Sequence, residues 1–361
     1  MIRERVIVVG AGVIGASVAY RVAQQGAKVT VIDAGQPACG ASGHSFGWIN
    51  ASFFADETHH HLRVAGIEAY HRLLADLPGL SVTWPGCLWW EEQGEGLARM
   101  EAQLRDLGYP VERIGGKDFA AAAPAIGQAP DEALVFPGEG VGAAERMAAQ
   151  LLDGAREAGA TVILGCRAER IEVQAGKVTG LRCTHGMLPA DRVLVAAGNG
   201  CADLMTAVDV PLPMLQRPGA LVRTRPLPPL LKKVMVSPEL EFRQDALGRI
   251  IAPSSAAHQA DDREVLPDTP DGLALDTLRR LRALLPGVDL VLDQTAVAMR
   301  PVPGDGLPAV GHCGPEGLYL AVMHSGVTLA ALMGELIAQE LLDGAKSHLL
   351  TPYRPGRFAF P

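Results

Sequence analysis

"RVIVVGAGVIGASVAYRVAQQGAKVTVID" occupies residues 5–33. Val6 to Val9 form a short β-branched run, as in a strand buried on both faces. Gly10, Gly12 and Gly15 follow as G-x-G-x-x-G. Ile14, Val18 and Val22 recur at helical spacing, and Gly26 stands where a helix would stop. Val29 to Ile32 make a second strand that ends at Asp33. Strand, glycine turn, helix, strand and acid in this order form a βαβ unit that binds a dinucleotide. The glycines let the backbone approach a pyrophosphate, the helix N-terminus offers unpaired N–H groups, and the carboxylate accepts ribose hydroxyls. Asp33 would repel the 2′-phosphate of NADP, but it does not separate NAD from FAD.

The bulk numbers frame this unit. A chain of 361 residues is long enough for two domains with sizeable cores. Its 48% hydrophobic and 20% charged residues are those of a globular protein. A net charge of -8 argues against nucleic acid as a partner. The six cysteines are scattered without a C-x-x-C pair, which fits reduced thiols in a cytoplasmic protein better than a disulfide framework or a zinc site. Residues 2–9 are too short an apolar run for a signal peptide. The longest apolar stretch, Leu318 to Leu342, contains His324, Glu335, Gln339 and Glu340. It reads as a strand followed by a helix, not as a transmembrane segment.

Downstream, residues 40–50, GASGHSFGWIN, are small, polar and loop-like. His60 to Leu77 and Ala143 to Ala158 read as helices, the second stopping at Gly159. Strand-like runs follow: TVILG, RIEVQ, KVTGLRC and RVLVAAG, then 219–224, 233–243 and 249–253. Leu273 to Leu285 is a helix candidate. A strand at Leu318 to Val322 and a helix from about Val327 to Leu342 end the series. Nucleotide-type βα elements thus occur at both ends and near 143–200. The expected fold is α/β, a Rossmann-like nucleotide domain with an inserted α+β substrate domain built on a largely antiparallel sheet. The expected division is 1–76, 137–213 and 298–361 for the first, and 77–136 and 214–297 for the second.

Four separated blocks carry a resemblance: VIVVGAGVIGASVAY with VID, GASGHSFGWIN, RVLVAAG, and AMRPVPGDGLPAVG with GLYLAVMHSGVTLAALMGELIA. Together they are similar to the D-amino acid oxidase-like FAD-dependent oxidoreductases, a family that includes glycine oxidase, sarcosine oxidase and D-amino acid dehydrogenase. The resemblance implies FAD. Carried over position by position, Gly10, Gly12 and Gly15, with Val13 and Ile14, would hold the pyrophosphate. Asp33, with Ala34 beside it, would bind the ribose; the family more often has Glu there. Ser42, Ser45, Gly47 and Trp48 would lie along pyrophosphate and flavin, and Ala168 would touch adenine. Ala197 and Gly198 would line the cofactor. Ser325, Gly326, Val327 and Thr328 would aim a helix N-terminus at the flavin's pyrimidine side, where reduced flavin is negative. Some members attach flavin through a cysteine before the Arg-Pro loop; Ala296 to Arg300 has none, so non-covalent FAD is expected.

The resemblance also gives Arg300 a role, since an arginine at this position binds the substrate carboxylate in amino-acid-oxidising members. Guanidinium and carboxylate fit as a two-pronged pair. The bland alternative is an ion pair within the chain, with Asp305 the nearest candidate. His324, at the strand-to-helix turn, is the second catalytic candidate: it could hydrogen-bond substrate, tune flavin charge, or be a histidine satisfied by backbone carbonyls. His44 lies in the flavin-side loop. His59, His60 and His61 cannot chelate together, because consecutive helical residues point apart. Trp89 and Trp90 read as strand packing before pocket lining, and Arg243 and His258, in the region of the pocket sheet, as surface residues before substrate contacts. The expected reaction is oxidation of a primary or secondary amine, a small or D-amino acid, by hydride transfer from the carbon bearing nitrogen. Oxygen or another acceptor would reoxidise the flavin; GRIIAP (248–253) lacks the lysine that sarcosine-oxidase-like members use for oxygen, a lean toward a dehydrogenase. The alternatives are a flavin-dependent 2-hydroxy acid dehydrogenase, a flavin-binding subunit that works only with a partner subunit, and a plain NAD dehydrogenase.

Overall fold

The computed structural model describes residues 4–255 and 262–359. His258 lies outside the described residues. Arg5–Val9 runs through the middle of a six-stranded sheet, paired in parallel with Arg192–Val195 on one side and Lys28–Asp33 on the other. Thr161–Leu164 extends one edge. Leu318–Val322 extends the other, and Ala309–His312 closes it as an antiparallel strand. The apolar runs of these strands are continuous because both faces are covered. On one face Val6, Val8 and Val31 meet helices; on the other Ile7, Val9 and Ile32 meet Ile171, Val178 and Leu181 of an antiparallel three-stranded sheet.

Helix Val13–Gln24 packs against Ala144–Glu157 and Gly326–Asp343. The approach is close because small residues stand at the contacts. A Cβ on Gly334 would lie 2.4 Å from Ser17 Oγ, and one on Gly154 2.8 Å from the Tyr20 ring. Helix Gly326–Asp343 buries Leu329, Leu332, Met333, Ile337 and Leu341; at about 1.5–3 kcal/mol each, this face anchors the helix whose first turn enters the site. Gly344, at φ +70°, ends it in the left-handed conformation.

A second sheet has eight strands, in the order 292–299, 218–224, 250–253, 241–244, 234–236, 87–89, 132–136 and 112–115. All its pairings are antiparallel except Val234–Val236 with Cys87–Trp89. Helix Pro270–Leu284 covers its back through Leu278 and Leu281, against Phe242, Ile250 and Ala252. The fold is therefore α/β, a Rossmann-like domain joined to a substrate-type domain on a largely antiparallel sheet.

Four local readings change. The run 233–243 is two strands, because Ser237 N–H donates to the Leu240 carbonyl and Ser237 Oγ accepts from Leu240 N–H, making a tight turn. The helix expected from His60 begins at Glu57, where Asp56 accepts from His59 N–H at 2.8 Å. Val82–Thr83 pairs with Gly140–Gly142, beside Trp48–Ile49, and not with the large sheet. Strand Leu292–Met299 runs across the division expected at 297/298. No helix of the described residues is long and apolar enough to cross a membrane.

Candidate cofactor and substrate site

A cavity of about 1100 Å³ lies between the two sheets. Gly10, Gly12, Val13 and Ile14 line it where the first strand turns into the first helix. Gly10 has φ +112°, and a Cβ there would sit 2.4 Å from the Ala196 carbonyl oxygen, so only glycine fits. Gly15 does not line the cavity. A Cβ on it would meet the Gly10 carbonyl at 1.9 Å, so it serves helix-on-strand packing and not direct ligand contact. The helix begins at Gly12 without a side-chain cap, leaving its first N–H groups toward the cavity; Val13 N–H reaches Ser42 Oγ at 3.2 Å. Asp33 accepts from Ala11 N–H at 2.7 Å and from Gly35 N–H at 2.8 Å. A carboxylate has about four acceptor sites, so capacity remains for ribose hydroxyls. Ala34, Ala168, Ala197 and Gly198 line the same cavity. A Cβ-free cradle, an uncapped helix N-terminus and a carboxylate with spare acceptors suit an extended dinucleotide.

The loop 40–50 lies along this cavity and is clamped by the large sheet. Arg223 donates to the Gly43 carbonyl at 2.8 Å, and Arg243 to the Phe46 carbonyl at 2.7 Å. Arg243 also lies over the Phe46 ring. The surface role expected of Arg243 is therefore wrong: it is buried, and burial holds its guanidinium down to about 10. Ser45 accepts from Gly47 N–H, turning the chain toward Trp48. His44 Nδ1 lies 2.8 Å from the Gly40 carbonyl. Ser42, Ser45, Gly47 and Trp48 all face the cavity.

Arg300 and His324 stand in the same cavity wall with Ser325, Gly326, Val327 and Thr328. Arg300 Nε donates to the Arg217 carbonyl at 3.3 Å. Asp305, the ion-pair partner weighed for it, holds Arg357 instead, at 2.6 and 3.0 Å. Burial, then the positive Arg300 and Arg63, push His324 down to about 3. It is neutral at physiological pH and can exchange hydrogen bonds, but it carries no charge. Ser325 is held left-handed at φ +59° at the start of helix Gly326–Asp343, a costly conformation for serine of the kind met at functional turns.

Two buried charged residues escaped the sequence reading. Arg63, 2% exposed, projects from helix Glu57–Asp76 to the cavity wall. It donates to the Asn50 carbonyl at 3.0 Å, to Asn50 Oδ1 at 2.6 Å and to Ser325 Oγ at 2.6 Å. On that helix it lies on the buried stripe with His59, Gly66 and Tyr70. Glu139 is fully buried in the turn between Glu132–Phe136 and Gly140–Gly142. It accepts from Trp48 Nε1 at 2.9 Å, Tyr109 OH at 2.9 Å and Ser52 N–H at 3.3 Å. Burial pushes it up to about 7 despite these bonds. Nothing in "PGEG" announces this. Glu241 lines the cavity from the large sheet. Of the histidine run, His59 and His60 are buried and His61 is exposed. Among the described residues no cluster of three or more potential ligands could hold a metal ion. Trp89 and Trp90 are buried away from the cavity wall.

Comparison with known proteins agrees with this geometry. The sequence model of the family described as DAO, FAD dependent oxidoreductase, matches residues 5–340. The chain is 26% identical to a glycine oxidase of Geobacillus kaustophilus, over 93% of this chain and 92% of that protein. It is 27% identical to a glycine oxidase of Pseudomonas aeruginosa, over 98% of each. The crystal structure of the Geobacillus kaustophilus glycine oxidase superposes with a TM-score of 0.85 at 25% identity, covering 98% of this chain and 99% of that one.

Proposed function

The chain belongs to the DAO family of FAD-dependent oxidoreductases, and from that premise we propose that it oxidises a small amine bearing a carboxylate, an amino acid or N-substituted amino acid. The observation that carries the reading is Arg300 in the wall of the cofactor cavity beside the neutral His324, with Asp305 engaged by Arg357. FAD, when bound, accepts a hydride equivalent from the carbon that bears nitrogen. Gly10, Gly12 and the N-terminus of helix Val13–Gln24 hold its pyrophosphate; Asp33 takes the ribose; Trp48 and residues 325–328 meet the flavin end. No cysteine stands at 296–300, which supports non-covalent binding. Arg300 grips the substrate carboxylate and fixes the Cα–H toward the cofactor. The positive Arg300 and Arg63 in the cavity wall disfavour an ammonium and so favour the neutral amine that can release hydride. His324 serves as a neutral hydrogen-bonding wall. The proposed domain division assigns 82–83, beside 48–49 and 140–142, to the cofactor side and places the boundary near 298 after Met299.

The test is anaerobic loss of flavin absorbance against glycine, sarcosine, D- and L-amino acids, proline analogues, 2-hydroxy acids and carboxylate-free amines. Bleaching by carboxylate-bearing amines is the expected result. Bleaching only by 2-hydroxy acids would replace the reading with hydroxy acid oxidation, and bleaching by none would favour a subunit that works only with a partner.

A further inference from the structure

Arg63 is a buried cation without a carboxylate partner. Its hydrogen bonds go to a backbone carbonyl, an amide oxygen and a hydroxyl, all neutral. Among the described residues no ion pair joins it to an Asp or Glu. Buried charges in proteins are ordinarily paired, because desolvation costs several kcal/mol. Glu139 exerts a pull on Arg63 through space, but its oxygens are taken by Trp48, Tyr109 and Ser52. The guanidinium keeps its charge at neutral pH, since burial lowers it only to about 10. A fold that holds an unpaired positive charge against a cavity wall is arranged for an anion in that cavity.

Direct chelation of a substrate carboxylate does not suit this side chain. The Nε and Nη2 edge, the one that forks onto a carboxylate, is closed by Asn50. Nη1 is turned onto Ser325, the left-handed residue that starts the cavity-facing helix. The charge and the helix N-terminus therefore act on the same place. We propose that Arg63 is a positioning residue that fixes the Ser325 turn and supplies a permanent positive field for the negative charge gained by the flavin end of the cavity on reduction. The inference rests on FAD occupying this cavity as proposed above, but not on the identity of the substrate.

Sulfite is the probe, because it adds to a bound flavin without any amine and leaves the same negative charge. The measurements are sulfite affinity and flavin midpoint potential of FAD-loaded wild type, Arg63→Met, Arg63→Lys and Glu139→Gln at pH 8. Arg63→Met is expected to weaken sulfite binding at least tenfold and to lower the midpoint by about 30 mV, the two-electron equivalent of tenfold. Arg63→Lys keeps the charge and is expected to stay within about threefold of wild type, in line with the field scaling with charge. Glu139→Gln removes the opposing charge and is expected to tighten sulfite at least threefold. An Arg63→Met protein that holds FAD and binds sulfite within twofold of wild type would overturn the proposal. Should Arg63→Met fail to hold FAD, Glu139→Gln decides: unchanged sulfite affinity overturns the proposal, and tighter binding upholds it. A wild type that takes up sulfite but is bleached by no amine removes the amine reading alone.

Discussion

Replacing Arg300 by methionine is the perturbation that bears most directly on function. The side chain keeps much of its apolar stem but is shorter and loses the fork that would hold a carboxylate. Each hydrogen bond to a charged group is worth about 1.5–3 kcal/mol, so losing two costs about 3–6 kcal/mol of binding in the reacting complex. At about 1.4 kcal/mol per factor of ten, the apparent second-order rate of flavin reduction should fall about 10²- to 10⁴-fold. The loss applies only to substrates that carry a carboxylate. The decarboxylated amine of the same skeleton should react equally well, or equally poorly, with both proteins. Arg300→Lys keeps charge without the fork and should fall between them. The hydrogen bond from its Nε to the Arg217 carbonyl is long at 3.3 Å, so the loss of that bond contributes about 1 kcal/mol or less. The assay is anaerobic stopped-flow reduction of the flavin, with FAD content measured on the same samples. A loss below fivefold for the carboxylate-bearing amine, or an equal loss for its decarboxylated partner, refutes the assignment of Arg300 as substrate anchor.

Three further outcomes follow from named contacts. Gly15→Ala drives a methyl to within 1.9 Å of the Gly10 carbonyl, whereas Gly26→Ala, at φ +85°, meets nothing within 4 Å; the first should cost about 3 kcal/mol or more and the second about 1 kcal/mol, and equal denaturation midpoints would contradict the packing role given to Gly15. Arg223→Ala frees the Gly43 carbonyl held at 2.8 Å, which should weaken FAD binding about fivefold, the equivalent of about 1 kcal/mol, as read by flavin release on dilution; unchanged retention would show that the clamp does not shape the loop. Glu139 is raised by burial to about 7 from an ordinary value of 4.5, so the folded state holds its proton longer than the unfolded chain does. Its burial costs nothing below pH 4.5, and the cost grows as pH rises through 7. The stability of wild type relative to Glu139→Gln should therefore decline by about 1.4 kcal/mol per pH unit over that window, and a difference in urea midpoints that does not vary with pH would refute the assignment.

What could be read in the chain and what could not divide along one physical line, the sequence distance over which a residue's environment is assembled. The βαβ unit was legible because its constraints are local. Gly10, Gly15 and Val8 meet one another within a few residues, and the continuous apolar runs of Arg5–Val9 and Lys28–Asp33 need no distant partner to be recognised. Arg300 was legible because a cation at the end of an apolar strand is an anomaly in its own segment. Gly15 was half-legible: the motif placed it, but only the contact with the Gly10 carbonyl shows that it faces the strand and not the ligand. Arg63 and Glu139 were missed because their burial is made elsewhere. Arg63 meets Ser325, 262 positions away, and Trp48 donates to Glu139 across 91. In isolation Arg63 looks like a solvated helix residue, and Glu139 like a turn residue between two glycines. Their meaning depends on helix Glu57–Asp76 lying against the first turn of Gly326–Asp343, which Gly66 permits: a Cβ there would stand 2.7 Å from the Thr328 carbonyl. One missing side chain thus brings a helix close enough to set a charge behind the cofactor turn. Gly66→Ala should accordingly shift the flavin midpoint in the same direction as Arg63→Met, because pushing the helices apart withdraws the guanidinium from Ser325 while leaving its charge intact.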